Sequence, residues 1–300
     1  MSHVLATGAT GFIGHRLIPT LLEQGHTVRA MTRNPETYDG PGDPVRGDVG
    51  DADSIHAALE GIEIAYYLVH SLDDEDFERK DAEAARVFAR AAAARDVRQI
   101  IYMGGLGDEG EELSAHLRSR REVEELLGEG GVPVTVLRAG IVVGHGGISW
   151  EMTRQLVKNL PAMIVPKWVS TRTQPIAVDD VVRYLVGVAG HVESVGQVFE
   201  IGGPDQMSYL EMLKVAARLE RGRSPLIVTV PVLTPRLSSY WLALVTDVDV
   251  TTGRNLIDSM GIEVLVRDNS IRQVVPGEPM SYEDAVKQAL AELDGQLAES

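Results

Sequence analysis

The chain of 300 residues contains no cysteine. Disulfides, thiol nucleophiles and cysteine-held zinc or iron–sulfur centres are therefore excluded, although the compartment is not fixed by this alone. Lysine is scarce, the basic residues being mostly arginine, and 28 basic side chains face 44 acidic ones for a formal net charge of −16. Such a surface repels phosphate backbones, so nucleic acid is not an expected partner. It suits either an ordinary solvated acidic coat or high intracellular salt, where short screening lengths tolerate crowded carboxylates. No apolar run reaches the ~20 residues of a membrane-spanning helix and no basic-then-apolar leader opens the sequence, so the expected location is cytoplasmic. The eight histidines lack metal-ligand spacing, and no metal site is expected. Ser149 and Ser170 lie outside any nucleophile-elbow pattern.

What is present begins with Thr7-Gly8-Ala9-Thr10-Gly11-Phe12-Ile13-Gly14, directly after the apolar run Val4-Leu5-Ala6. Three glycines at three-residue spacing let the backbone turn sharply out of a strand, approach a diphosphate without Cβ interference and seat the following helix on the sheet. The helix N-terminus then offers free N–H groups and partial positive charge to phosphate. Ile13, Leu17, Ile18, Leu21 and Leu22 supply the helical spacing that the motif requires. Pro19 falls inside that helix, and a kink or an early end is expected there.

Strand and helix signals alternate through the first ~145 residues, which implies parallel strands joined by right-handed crossovers. Thr27–Thr32, a segment before Gly47, Ile62–Val69, Gln99–Met103 and Val134–Leu137 read as further strands. Asp53–Leu59, Phe77–Arg95 and Ser114–Leu127 read as helices. A helix from Trp150 to Leu160 ends at Pro161, Ile176 opens a turn into another helix, and Gln197–Ile201 is a strand. Ser208-Tyr-Leu-Glu211 is a capping box, and Ser281–Asp284 a similar start for a final helix. The expected architecture is α/β, a Rossmann-type doubly wound parallel sheet with a smaller C-terminal α/β substrate lobe. Residues 1–160 form the nucleotide domain, and residues 161–300 the last sheet strands and the lobe, in one compact body.

These segments together resemble the extended and atypical branches of the short-chain dehydrogenase/reductase superfamily. Tyr67-Leu-Val-His-Ser71, His116-Leu-Arg-Ser-Arg120, Leu137–Gly144 and Arg172–Ile176 resemble more narrowly an NAD(P)-binding, NmrA-like group, itself similar to the nucleotide-binding accessory subunit of respiratory complex I. The resemblance implies a parallel sheet of seven or more strands and a substrate cleft under the C-terminal lobe. It also places Asp48 and Val49 beside the adenine.

An NAD-selective site carries a carboxylate at the end of the second strand, where this chain has Thr32-Arg33. Arg33 can meet a 2′-phosphate with a permanently charged fork, so NADP(H) is the expected cofactor, with NAD(H) as the alternative. His70 and Ser71, after the fourth strand, are expected to face the inner ribose or nicotinamide. The cofactor contacts expected are thus Thr7, Gly8, Thr10, Gly11, Phe12, Ile13, Gly14, Arg33, Asp48, Val49, His70, Ser71 and Arg120.

Active members of the superfamily use a Tyr, a Lys four residues later and a Ser or Thr. Here the aligned positions read His116 and Arg120, and the strand that usually ends in hydroxyl residues ends in Met103-Gly104-Gly105. His116 can in principle exchange protons near neutrality, and is the one catalytic candidate; a merely structural bond to ribose, water or backbone is the competing role. Ser114, Tyr66, Tyr67 and Tyr102 are other possible hydroxyl donors, the tyrosines more often being core. Arg138 and Arg172 are expected to form structural salt bridges, with Asp179 a candidate partner, rather than to meet an anionic substrate. The apolar Leu237–Val248 segment, with Trp168 and Trp241, is expected in the core or a cleft lid, or lining an apolar pocket or touching a membrane surface. Two functions follow: a reductase or isomerase of a small apolar carbonyl compound, or a non-catalytic redox sensor or assembly factor. Neither the substrate nor the oligomeric state is legible.

Overall fold

A computed structural model describes residues 1–71, 74, 76–107, 113–160, 162–230, 246 and 250–299. Six strands and their intervening helices build the first half: β1 (His3–Ala6), β2 (Thr27–Thr32), β3 (Asp43–Arg46), β4 (Ile64–Tyr67), β5 (Gln99–Gly105) and β6 (Val134–Ala139). Four short strands follow, β7 (Val142–Val143), β8 (Ala162–Pro166), β9 (Arg172–Thr173) and β10 (Ile176–Ala177), and then β11 (Val198–Ile201). β11 joins the first six in one seven-stranded sheet ordered β11-β6-β5-β4-β1-β2-β3, every neighbour parallel. The chain reverses direction across the sheet between β1 and β4. Ligands of such sheets bind in the crevice outside the carboxyl ends of the strands at that point.

Strand alternation divides the apolar side chains between two layers. Val4, Ala6, Val28, Tyr66 and Ile101 point toward α1 (Gly14–Glu23) and α6 (Val178–Gly187). Leu5, Met31, Ala65, Tyr67 and Ile100 pack on the other face against α2 (Ala52–Ala58), α3 (Phe77–Ala94) and α4 (Ala115–Gly128). Both faces are covered at the centre of the sheet, where β4 is buried throughout, whereas the edge strand β3 is largely exposed.

The expected early end at Pro19 does not occur, because α1 runs on to Glu23. Leu17, Ile18 and Leu21 are fully buried on the sheet. At about 1.5–3 kcal/mol for each such side chain, their burial outweighs the ~3 kcal/mol cost of an interior proline. The Ile62–Val69 strand is shorter than expected, with pairing confined to Ile64–Tyr67.

The lobe has its own core, formed by α5 (Ile148–Asn159), α7 (Tyr209–Arg221), β8, the Val250–Met260 helix and the C-terminal helix Tyr282–Glu299. Ser208 and Glu211 close the capping box at α7 reciprocally, while Ser281 and Asp284 exchange hydrogen bonds before the last helix. The apolar Leu237–Val248 segment, apart from Thr246, lies outside the described residues, as do Pro161 and Trp241. Trp168 falls in a 3-10 turn, Lys167–Ser170. Among the described residues no helix is long and apolar enough to cross a membrane, and no cluster of metal-ligating side chains occurs.

Candidate active site

The glycine loop is shaped by contacts that only glycine permits. Gly8 has φ +64°, a left-handed conformation, and a Cβ there would lie 3.3 Å from Leu68 O. A Cβ on Gly14 would overlap the Gly8 carbonyl oxygen, and Gly11 N donates to that same oxygen at 2.9 Å. Thr7 sits behind the loop, fully buried, donating its hydroxyl to Tyr66 O at 2.9 Å and accepting from Leu68 N at 2.9 Å. It locks the end of β1 to the end of β4, and its side chain does not face the crevice. The N-terminus of α1 has no side-chain cap and no acidic residue in its first turn. Such an end leaves its backbone donors and its positive dipole end for an anion. The cradle therefore fits a dinucleotide diphosphate.

Phe12 bolts this loop to the lobe. Its ring fills the space a Cβ on Gly147 would need, 2.8 Å away, and the Arg16 guanidinium lies 5.0 Å from the ring centroid. Arg16 also donates to His145 O at 2.9 Å and pairs with Glu292 of the C-terminal helix at 2.7 Å.

Two recesses open beside the loop. The outer one, about 660 Å³, brings together Gly8, Thr10, Arg33, Asp48, Val49, His70 and Ser71. Arg33 is exposed and makes no ion pair among the described residues. The Asp48 carboxylate accepts from Gly50 N at 2.9 Å, and its backbone N–H donates to Ser54 Oγ at 3.0 Å, which fixes the turn after β3. Thr32, Asn34 and Tyr38 line the same recess; these the motif reading missed, since nothing but proximity to Arg33 marks them.

The inner cavity, about 230 Å³, is bounded by Phe12, Ile13, His70, Met103, His116 and Arg120 on the sheet side, and by Ile148, Tyr209, Leu256, Ser259 and Met260 on the lobe side. His70 borders both recesses. α4 supplies His116 and Arg120, four residues apart and thus on one helix face. Ser114 caps this helix by accepting from Leu117 N at 3.3 Å, and its hydroxyl is also 2.9 Å from Ser259 Oγ. Arg120 Nη1 donates to Met103 O at 3.0 Å, and Tyr102 donates its phenol to Arg120 O at 3.2 Å.

Burial, followed by the positive charge of Arg120, pulls His116 down to about 3. Proton exchange near neutrality, expected from an ordinary imidazole, is thereby corrected: the ring is neutral across the physiological range. His70, 6.4 Å from His116 between ring centroids, is likewise held well below its ordinary value, by desolvation first and then by Arg120 and His116. A Cβ on Gly105 would meet Leu117 Cδ2 at 2.7 Å, so a hydroxyl residue at that end of β5 would require the Leu117 side chain to shift.

Tyr66, Tyr67 and Tyr102 belong to the sheet core, with burial holding their phenols above the ordinary range. Tyr66 donates to Leu185 O at 2.9 Å. Arg138 forms a bidentate pair with Glu124 of α4, at 3.1 and 2.6 Å. Arg172 donates to Gln206 at 2.8 Å, and Asp179 accepts from Gln288 at 2.6 Å. Asp179 is thus the partner of neither arginine among the described contacts. Sequence reasoning also missed Asp81, whose carboxylate accepts from Ser71 N at 3.0 Å and fixes the turn after β4. A signal existed: Asp81 interrupts the buried Phe77, Ala84, Ala85 and Phe88 stripe of α3.

A family described as NAD(P)H-binding matches residues 8–161, just over half of the chain. The chain belongs to this family, within the atypical, NmrA-like branch of the short-chain dehydrogenase/reductases. This NAD(P)H-binding protein is 26% identical to a (4-alkanoyl-5-oxo-2,5-dihydrofuran-3-yl)methyl phosphate reductase of Streptomyces griseus, over 72% of this chain and 73% of that one. It is 26% identical to subunit 9 of the mitochondrial NADH dehydrogenase 1 alpha subcomplex of Arabidopsis thaliana, over 72% of this chain and 58% of that subunit. Its fold matches that of an NADPH-dependent quinone oxidoreductase from Escherichia coli complexed with NADPH, with TM-score 0.77 and 19% identity over 96% of this chain and 99% of the other.

Proposed function

We propose that the protein is an NADP(H)-dependent reductase of a small apolar carbonyl compound, working in the cytoplasm. The observation that carries this reading is the meeting of two recesses at His70, one polar and fitted to a nucleotide, the other apolar and sized for a small molecule. Residues 1–160 would hold the cofactor, and residues 161–300 would complete the sheet and close the apolar cavity.

In this reading the amides of the Gly8–Gly14 loop hold the diphosphate. Arg33 meets the 2′-phosphate, Asp48 and Val49 flank the adenine, and His70, Ser71 and Arg120 take the inner ribose and nicotinamide end. The cofactor, when bound, supplies hydride. The chain's own contribution is to orient the partners and present the N–H of neutral His116 to the substrate oxygen as a hydrogen-bond donor, the proton that completes the reduction coming from solvent.

The altered Tyr and Lys positions favour a second reading, a nucleotide-dependent sensor or assembly protein without turnover. The two separate in one experiment. Protein stripped of nucleotide is titrated with NADPH and NADH by fluorescence, and NADPH oxidation is then followed with a panel of apolar aldehydes, ketones and quinones. The reductase reading expects tighter binding of NADPH and oxidation with at least one carbonyl class. Tight binding with no oxidation by any of them favours the sensor, and binding of neither nucleotide removes both.

A further inference from the structure

The charge balance of the inner cavity is opposite to that of the chain. A protein with formal net charge −16 surrounds this cavity with a guanidinium, two imidazoles and, among the described lining residues, no Asp or Glu. Among the described lining residues the only other ionisable group is Tyr209, whose phenol burial pushes above its ordinary range and so keeps neutral. Carboxylates lie outside the lining: Glu124 is spent on Arg138, and Asp81 serves the turn at Ser71.

The rest of the wall is apolar, including Phe12, Ile141, Ile148, Leu256 and Met260. Such surroundings penalise a localised charge and magnify any hydrogen bond made to it. Arg120 donates to Met103 O and reaches the Tyr102 phenol, and a guanidinium carries five N–H donors. Each neutral imidazole offers one N–H. Burial first, and then the charge of Arg120, displaces His70 and His116 downward. Arg120 is thus the one charged side chain among the described lining residues.

We propose that the His70, His116 and Arg120 cluster binds the oxyanion of a small apolar enol or phenol, a delocalised anion whose ring or alkyl body fills the apolar wall. A compact cavity of about 230 Å³ suits a ring-sized body rather than a long acyl chain. Delocalisation spreads the charge and lessens the desolvation cost that a localised alkoxide would meet. This site does not require turnover, so it stands apart from the choice between reductase and sensor.

The test uses 4-nitrophenol, whose anion absorbs in the visible and whose solution pKa lies near neutrality, titrated with pH on the full chain with and without saturating NADP⁺. The cluster predicts that the bound phenol ionises about one unit lower than in solution, a preference of about tenfold for the anion. Arg120→Met abolishes that shift, Arg120→Lys restores part of it, and His116→Phe reduces it more than His116→Gln, which keeps a donor. Circular dichroism melts of every variant show whether it is folded; because Arg120 is also placed at the inner ribose, the phenol shift of its variants is read without nucleotide, and parallel NADPH titrations record any loss of cofactor binding. A bound phenol with an unchanged or raised pKa, as an apolar cavity alone would produce, overturns the assignment. So does a shift that survives in folded Arg120→Met, or benzoate binding as tightly as 4-nitrophenolate, which would make this a general carboxylate site.

Discussion

The outer recess and the inner cavity adjoin at one histidine yet are built in opposite ways. The outer recess draws on short consecutive stretches that follow β1, β2, β3 and β4, and much of its surface is backbone or exposed polar side chain. The inner cavity gathers residues from Phe12 to Val264, across sheet, helix α4 and lobe, and is mostly apolar. A phosphate can be held by main-chain amides and one arginine, so its site needs little more than a loop and a helix start. A small apolar ligand has few handles and must be enclosed, which takes several elements packed at once.

The largest expected effect tests the dependence of the outer recess on one glycine. In Gly14→Val the new Cβ overlaps the Gly8 carbonyl oxygen, a backbone atom that cannot rotate away. NADPH affinity should fall about 1000-fold, roughly 4 kcal/mol, in a fluorescence titration. A fall of less than tenfold would mean that the loop is not the diphosphate cradle.

The inner cavity instead depends on buried side-chain support. Arg138 and Glu124 are only 12% and 13% exposed, and Glu124→Ala removes the bidentate pair beneath α4. Stability in urea should drop by about 3 kcal/mol, and 4-nitrophenol binding should weaken with it, while NADPH binding to the folded fraction is kept. An unchanged urea midpoint would show that α4 is held by other contacts.

Arg33→Ala sharpens the comparison at the far end of the outer recess. Loss of a charge-assisted hydrogen bond of about 1.5–3 kcal/mol should weaken NADPH at least about tenfold and leave NADH nearly unchanged. Equal weakening of both would remove the 2′-phosphate contact and leave Arg33 as a surface charge.

The smallest effect is the pH dependence of stability. His116 is held at about 3 in the folded chain and returns to about 6.5 when unfolded. Between these values the unfolded chain binds more protons, so stability falls as pH is lowered through that window, at up to about 1.4 kcal/mol per unit. His116→Gln should flatten urea-derived stability between pH 6.5 and 4 relative to the parent. Parallel slopes for the two proteins would place the charge cost elsewhere.

The contrast also explains what could be read early. Thr7 to Gly14 announced itself because its glycine spacing has a steric cause within eight residues, and Ser208 with Glu211 because a cap needs only one helical turn. Arg33 was legible from its place at the end of β2. Ser259 and Tyr209 reach the cavity from elements far along the chain, with no local signature. Arg138 shows the same limit: a buried cation needs a carboxylate, but whether Glu124 or Asp179 meets it depends on how α4 lies against β6. Pro19 was read by its local cost, and the buried face of α1 overrode it.

Sequence by itself determined the alternation of strands and helices, the nucleotide cradle and the replacement of Tyr and Lys by His116 and Arg120, since each is written in short-range spacing or residue chemistry. Tertiary structure alone decided that His116 is neutral, that Leu117 packs against Gly105, and that the described lining of the inner cavity in this acidic chain includes no carboxylate. Protonation and enclosure depend on how much water and charge surround a group, and those neighbours arrive only when distant segments pack together.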